Sequence, residues 1–291
     1  MVYEIENEYL KVGAETLGAQ PTTIMRKDGN IEHLWQGDAK YWKSRSPHLF
    51  PVVGRLYEGK YEYDGKLYAL NIHGFARNTE FTLVEKTADS MVFTISATAA
   101  TTEIYPFDFI FKVKYALIGN TLTMTYIVEN TGKSVMYFGL GGHTGFNVPF
   151  DGGEFTDYYL ETENACSPEH LLLSPSYLMS ENREKFPLEN GKILHLKHEL
   201  FDDDAIVLEG FDRTVSIKSK KTKKSIKVSF PKMHYVGLWH APKTDAPYLC
   251  IEPWENLPSF DGKTEKLNEK PHIGKLESGE IYESPIIISL E

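Results

Sequence analysis

The sequence predicts an all-β protein, a large antiparallel sandwich or barrel with long loops, folded as a single domain over residues 1–291. Three observations carry this. Apolar and polar residues alternate with period two over several stretches, as in strands with one buried face. Aromatic residues make up 13% of the chain and, with many Val, Ile and Thr, favour a pleated surface. Helical periodicity is nearly missing, with no internal repeat, low-complexity tract or linker to divide the chain. All-β units routinely run to about 200–250 residues, so one domain of this length is reasonable.

The elements follow in chain order. Residues 60–64 and 67–70, with Gly65 between them, read as a short hairpin, and 81–85 and 91–97 flank a polar turn. The clearest pattern lies at 107–128. Phe107, Phe109, Phe111, Val113, Tyr115 and Leu117 alternate with polar residues such as Asp108, Lys112 and Lys114. After the Gly119-Asn120 turn, Leu122, Met124, Tyr126 and Val128 resume the alternation against threonines. This predicts a long hairpin, with a third strand following over 135–140. The best helical candidate is one short turn near 168–173. Residues 215–217 and 226–230 flank a lysine-rich tip, and 286–290 is a closing strand.

Composition excludes several classes of function. Lys and Arg total 31 against 41 Asp and Glu, a net charge of −10, which argues against a nucleic-acid partner. Lys218, Lys220, Lys221, Lys223 and Lys224 cluster at a hairpin tip without interleaved aromatics, and read as a solvated edge. The two cysteines, Cys166 and Cys250, fit a reduced, cytoplasmic protein. No run of about 18 apolar residues occurs, so no membrane span is expected. The first residues lack the basic and apolar regions of a secretory signal. There is no Gly-x-Gly-x-x-Gly, P-loop or Gly-x-Ser-x-Gly elbow. His195-Leu-Lys-His198-Glu199 lacks His-Glu-x-x-His order and reads as a strand end. Neither a cofactor nor a metal is expected.

Four segments break the strand pattern and place polar groups among glycine, proline and aromatics: 46–55, 73–77, 139–147 and 250–254. Glu252 follows the apolar run 248–251, and His143 follows 137–140. A carboxylate and an imidazole at the ends of buried strands make a general base and a general acid. Arg55, His73 and Arg77 supply donors for a polyhydroxylated or anionic ligand. Trp254, Phe75 and Phe146 offer faces for stacking on a sugar. The reaction suggested is proton transfer at a sugar.

These residues identify a resemblance. Phe50-Pro51 with Gly54-Arg55, His73-Gly-Phe-Ala-Arg77, Gly142-His143-x-x-Phe146-Asn147 and Ile251-Glu252-Pro253-Trp254 stand in the order and spacing of the aldose 1-epimerase (galactose mutarotase-like) superfamily. The chain resembles it over nearly its whole length, and within it the small bacterial LacX-like branch. The resemblance implies a large antiparallel β-sandwich of the galactose mutarotase type and interconversion of the α and β anomers of an aldose. It implies Glu252 as the base on the anomeric hydroxyl and His143 as the acid on the ring oxygen. Arg55 and His73 match positions that hold the sugar, and Asp203 or Asp204, of which Asp204 is preferred, matches a further family carboxylate. Near neutral pH, His143 acts either with a pKa raised by that aspartate or as a neutral imidazole that donates its N–H.

Two other readings stand beside this one. Arg77 also occurs in the hexose-6-phosphate epimerase branch, where with Arg55 it offers a phosphate two guanidinium groups; its alternative is an ion pair to a nearby carboxylate. Trp254-Glu255-Asn256-Leu257-Pro258 departs from the usual continuation after the base, so the pocket wall differs. A non-catalytic sugar-binding protein on the same sandwich is the reading of another class, but a pure binder has no need of both a desolvated carboxylate and an imidazole. The expected partner is a small sugar or sugar phosphate, and the expected state a monomer or homodimer.

Overall fold

Long period-two strands can hide one face only against a second layer, and here two large sheets supply it. The computed structural model describes residues 1–291. The central ladders of both sheets are antiparallel, so the all-β expectation holds. In the nine-stranded sheet the predicted hairpin is Phe109–Ile118 paired to Thr121–Asn130, with Phe111 opposite Val128 and Tyr115 opposite Met124. Ser90–Ser96 flanks it on one side and Ile281–Leu290 on the other. The inward members Phe111, Val113, Tyr115, Leu122, Met124, Tyr126 and Val128 are fully buried, each aliphatic or aromatic side chain contributing roughly 1.5–3 kcal/mol of transfer free energy. Phe50 stacks on Phe111 with ring centroids 4.5 Å apart. That contact pins the segment leading to Arg55 onto the centre of the sheet.

The second sheet has eight strands, with Tyr235–Trp239 and Tyr248–Trp254 side by side near its middle. Its inward residues, Ile206, Leu208, Val236, Leu238, Leu249 and Ile251, join the main core. Its other face is covered as well, since Val207, Tyr235 and Trp254 pack with Leu49, Val53 and Leu257, and Tyr248 and Cys250 pack with Trp35. Every residue of Tyr248–Trp254 is therefore buried. A strand covered on both faces loses its alternation and reads as a continuous apolar run. A four-stranded sheet of Val2–Glu6, Leu10–Glu15, Pro21–Arg26 and Ile31–Glu32 completes the N-terminal part.

Several elements differ from expectation. Residues 168–173 are not a helical turn: Glu169–Leu173 is a strand between Met179–Lys185 and Ile206–Glu209. The leucines favour helix locally, but pairing on both edges outweighs a propensity of a few tenths of a kcal/mol per residue. The α-helix is instead Ala99–Ile104, capped by the Thr98 side chain, and it buries no residue. The expected strand after the long hairpin is present as Met136–Phe138, and it pairs with Gly274–Leu276 without joining the hairpin's edge. Ile281–Leu290 already occupies that edge, and the Asn130 amide donates to the Ser134 and Leu276 carbonyls, turning the chain away.

At the lysine-rich tip Lys221 and Lys224 pair with Asp157 and Asp151. His195 is an exposed strand residue paired with Glu189 at 2.8 Å, whereas His198 is partly buried and meets His240 at 3.1 Å. Both cysteines are free thiols. No helix is long and apolar enough to cross a membrane.

Candidate active site

Alternation along Tyr248–Trp254 decides the site. Leu249 and Ile251 point into the core, which sends Cys250, Glu252 and Trp254 to the opposite face. Glu252 is thus inside a strand rather than at its end. Gly237 lies opposite it. A Cβ on Gly237 would stand 2.9 Å from the Trp254 ring and 3.3 Å from the Glu252 Cβ, so only glycine leaves both side chains in place.

His143 sits at the break between Gly141–Gly142 and Thr144–Asn147. Both pieces pair with the Glu252 strand, Gly141 opposite Trp254 and Thr144 opposite Ile251. The break delivers the imidazole beside the carboxylate, with Nε2 3.4 Å from the Glu252 Oε2. Trp42 stacks on the His143 ring at 4.8 Å and Trp239 meets it edge-on at 5.7 Å.

Burial dominates the electrostatics of the pair. It pushes the Glu252 carboxyl well above its usual range, aided by the negative charge of Asp204 and opposed by the neighbouring Trp254 indole and the Arg77 guanidinium. Burial, then Arg77, lowers His143 to about 3. Both shifts favour the proton on the carboxyl and the neutral form of the imidazole. The Asp204 charge bears on Glu252 within this pair, and Arg55 in turn favours the ionised form of Asp204.

The 73–77 segment closes one side. The N–H of Gly54 donates to the His73 Nδ1 at 3.0 Å, so the proton of neutral His73 is on Nε2. Burial, with His143 and Arg77 behind it, holds His73 well below its ordinary pKa. The sharp turn at φ 64° and 73° for His73 and Gly74 brings Gly74 against Phe50. Arg77 is half-buried and lowered by burial, with Glu252 countering. Arg55 is exposed, its guanidinium 5.9 Å from the Tyr177 ring. Neither arginine makes a direct side-chain ion pair or hydrogen bond, although the Glu252 carboxyl lies near enough to Arg77 for the two to interact electrostatically. Asp204 faces the cleft, its pKa raised by burial, while its neighbour Asp203 is exposed and turned away.

Together these residues line a cavity of about 270 Å³, near the lower bound of small-molecule sites at roughly 300 Å³. Arg55, His73, Arg77, His143, Asp204 and Glu252 all reach it. Its aromatic walls are Trp42, Tyr177, Trp239 and Trp254. Trp254 was expected there; Phe75 and Phe146 were too, but Phe146 lies in the core opposite Leu249, and the partly buried Phe75 packs against that core edge-on to Phe50. Trp239 shares strand parity with Gly237, which faces Glu252, and that parity is a signal the sequence does hold. Trp42 and Tyr177 lie in irregular segments, where no periodicity marks them. Cys250 was also passed over, and its sulfur, a His143 ring nitrogen and a Glu252 oxygen all lie within 4.8 Å of one another.

Comparison with known proteins bears on the family and the fold. The sequence profile of the aldose 1-epimerase family matches residues 1–288. The chromosomal LacX protein of Lactococcus lactis is 35% identical over 287 residues, covering 95% of either chain, and the plasmid form is 35% identical over 292 residues. A solved structure of a galactose mutarotase-like protein from Lactobacillus casei superposes with a TM-score of 0.94 at 28% identity, covering 100% of both chains. A galactose mutarotase related enzyme from Lactobacillus acidophilus gives 0.94 at 33% identity, covering 100% of this chain and 97% of that one. The sandwich is of the galactose mutarotase type, and the chain belongs to the aldose 1-epimerase family.

Proposed function

We propose that the protein interconverts the α and β anomers of an aldose by acid–base opening and closure of the sugar ring. The observation that carries this is the 3.4 Å separation of His143 Nε2 and Glu252 Oε2 in a buried cleft. The anomeric hydroxyl and the ring oxygen hang on one carbon, so two groups this close can reach both. Ring opening starts once the pair's proton has passed from Glu252 to His143: ionised Glu252 then takes the hydroxyl proton, C1=O forms, the C1–O5 bond breaks, and protonated His143 gives its proton to O5. The pair ends with the proton on Glu252, the arrangement burial favours. Rotation about C1–C2 and the reverse transfers then close the ring on the other face. The pair holds one proton throughout and titrates as a unit. His73 Nε2–H, Arg55 and Arg77 hold the sugar oxygens, and the three tryptophans provide apolar faces.

Replacing Asp204 by Asn is expected to shift the alkaline limb of the kcat/KM profile to lower pH. The negative charge of Asp204 favours retention of the shared proton, so its removal lets that proton leave earlier. The pH profile of anomer exchange checks this; an unmoved limb would detach Asp204 from the pair.

The two unpaired arginines favour a second reading, a hexose 6-phosphate as substrate. Anomer exchange by NMR saturation transfer or polarimetry, over a panel of aldoses and their 6-phosphates, separates the two. On the free-sugar reading the unphosphorylated aldose has the higher kcat/KM. Arg77→Ala then weakens it by about 10–100-fold, the range of one or two hydrogen bonds to a charged group. A phosphate preference that Arg77→Ala abolishes would establish the phosphosugar reading. Sugar binding without exchange on any substrate would leave a binding protein.

A further inference from the structure

We propose that a soft divalent cation of the zinc or cadmium type binds across His143, Cys250 and Glu252 and blocks the cleft while it is there. Cys250 and Glu252 come from Tyr248–Trp254 and His143 from the break beside it, and the three donors lie within 4.8 Å of one another, all buried. In a tetrahedral site, nitrogen and oxygen ligands at 2.0–2.2 Å stand roughly 3.4 Å apart, and the His143 Nε2 and Glu252 Oε2 are 3.4 Å apart already. The Cys250 sulfur, on the same face of the strand two residues before Glu252, closes the third corner with a movement of about 1 Å, given a Zn–S bond of about 2.3 Å. The fourth corner faces the cavity, where His143 and Glu252 form part of the wall, and takes water.

Charge supports the same site. On binding, one proton leaves the Cys250 thiol and another leaves the His143–Glu252 pair, so two protons exchange for two positive charges. The buried site keeps its net charge, which avoids the cost of adding an unpaired charge to a low-dielectric interior. A thiolate and an imidazole select zinc or cadmium over magnesium or calcium. The His143 Nδ1 has no hydrogen-bond partner, so the outer support usual for a metal-bound histidine is lacking, a difference of about 10–100-fold in affinity. The cation is thus a reversible occupant and not a resident one. Coordination takes the carboxylate and the imidazole lone pair away from proton transfer. Inhibition therefore rests on the acid–base reading of the pair, whereas binding does not.

The test uses the full chain in a Cys166→Ser background, where Cys250 is the remaining thiol. Cadmium titration is expected to raise a sulfur-to-metal charge-transfer band in the ultraviolet that saturates at one equivalent and is lost in Cys250→Ser and Cys250→Ala. Zinc is expected to raise the melting temperature, with apparent affinity falling at least tenfold in either Cys250 variant, and magnesium to have no effect. Zinc should also stop anomer exchange, with a chelator restoring it, while the rate of each Cys250 variant relative to its own metal-free rate resists zinc. Absence of the band, its survival without Cys250, or equal competition by magnesium would overturn the site. If the metal-free protein exchanges no anomers but the band forms, the epimerase reading fails and the metal site stands.

Discussion

Glu252→Gln is expected to slow anomer interconversion by about 10²–10⁴-fold, the contribution of one positioned proton-transfer group, without loss of the fold. The amide matches the carboxyl in shape but accepts no proton. Burial holds Glu252 protonated well above the pH at which it ionises in the unfolded chain. A carboxyl of this kind contributes stability that is fully present below its unfolded pKa and is lost as pH rises through its folded pKa. The glutamine variant should therefore lose that part of the pH dependence, and at alkaline pH it should melt no lower than the parent. His143→Ala should cost a similar factor in rate. Because the two side chains share one proton, the double variant should be little slower than either single one. Saturation-transfer NMR on each variant measures the rates, and a Glu252→Gln rate equal to the parent's would remove the carboxylate from the reaction.

Gly74→Ala is expected to lower stability by about 3 kcal/mol, combining left-handed strain with overpacking against an unyielding neighbour. The residue has φ 73°, and a Cβ there would stand 2.2 Å from the Phe50 carbonyl oxygen. That contact is backbone, and Phe50 is fixed by its stack on Phe111, so no flexible side chain can give way. The melting temperature should fall by roughly 6–12 °C. The shift should displace His73 and lower turnover as well, since the Gly54–His73 hydrogen bond crosses the same turn. An unchanged thermal melt would mean that the loop yields and that the glycine is replaceable.

The sequence was legible where a strand has one wet face. The hairpin Phe109–Ile118 and Thr121–Asn130 and the small hairpin Lys60–Tyr63 and Lys66–Ala69 lie within a few residues of their expected places. It was less legible where alternation is weak. Glu169–Leu173 has little alternation to show, and its helix-like composition pointed the wrong way. The helix Ala99–Ile104 is six residues long with no buried side, so it has no periodicity; its cap at Thr98 was the available signal. For the cleft, the polar groups stood out as unusual residues amid glycines and aromatics. Of the aromatic walls only Trp254 did, because Phe146 and Trp239 differ only in which face of the sheet their parity selects. That parity is set by pairing with distant strands. For the same reason Cys250 gave no sign of its neighbours: its approach to His143 exists only once Thr144–Asn147 lies beside Tyr248–Trp254.

The chain has four tryptophans. Trp42, Trp239 and Trp254 line the cleft, and the Trp35 indole donates to the Trp42 carbonyl at 2.8 Å. Indole fluorescence in this protein therefore originates at the cleft and its immediate surroundings, next to imidazole and carboxyl groups able to quench it. Emission reports occupancy and ionisation of the cleft without an added dye, whereas the nine-stranded sheet, which carries no tryptophan, is silent in that channel. An unfolding transition followed by emission is thus a measurement of the cleft first, and far-ultraviolet circular dichroism is needed to follow the opposite layer.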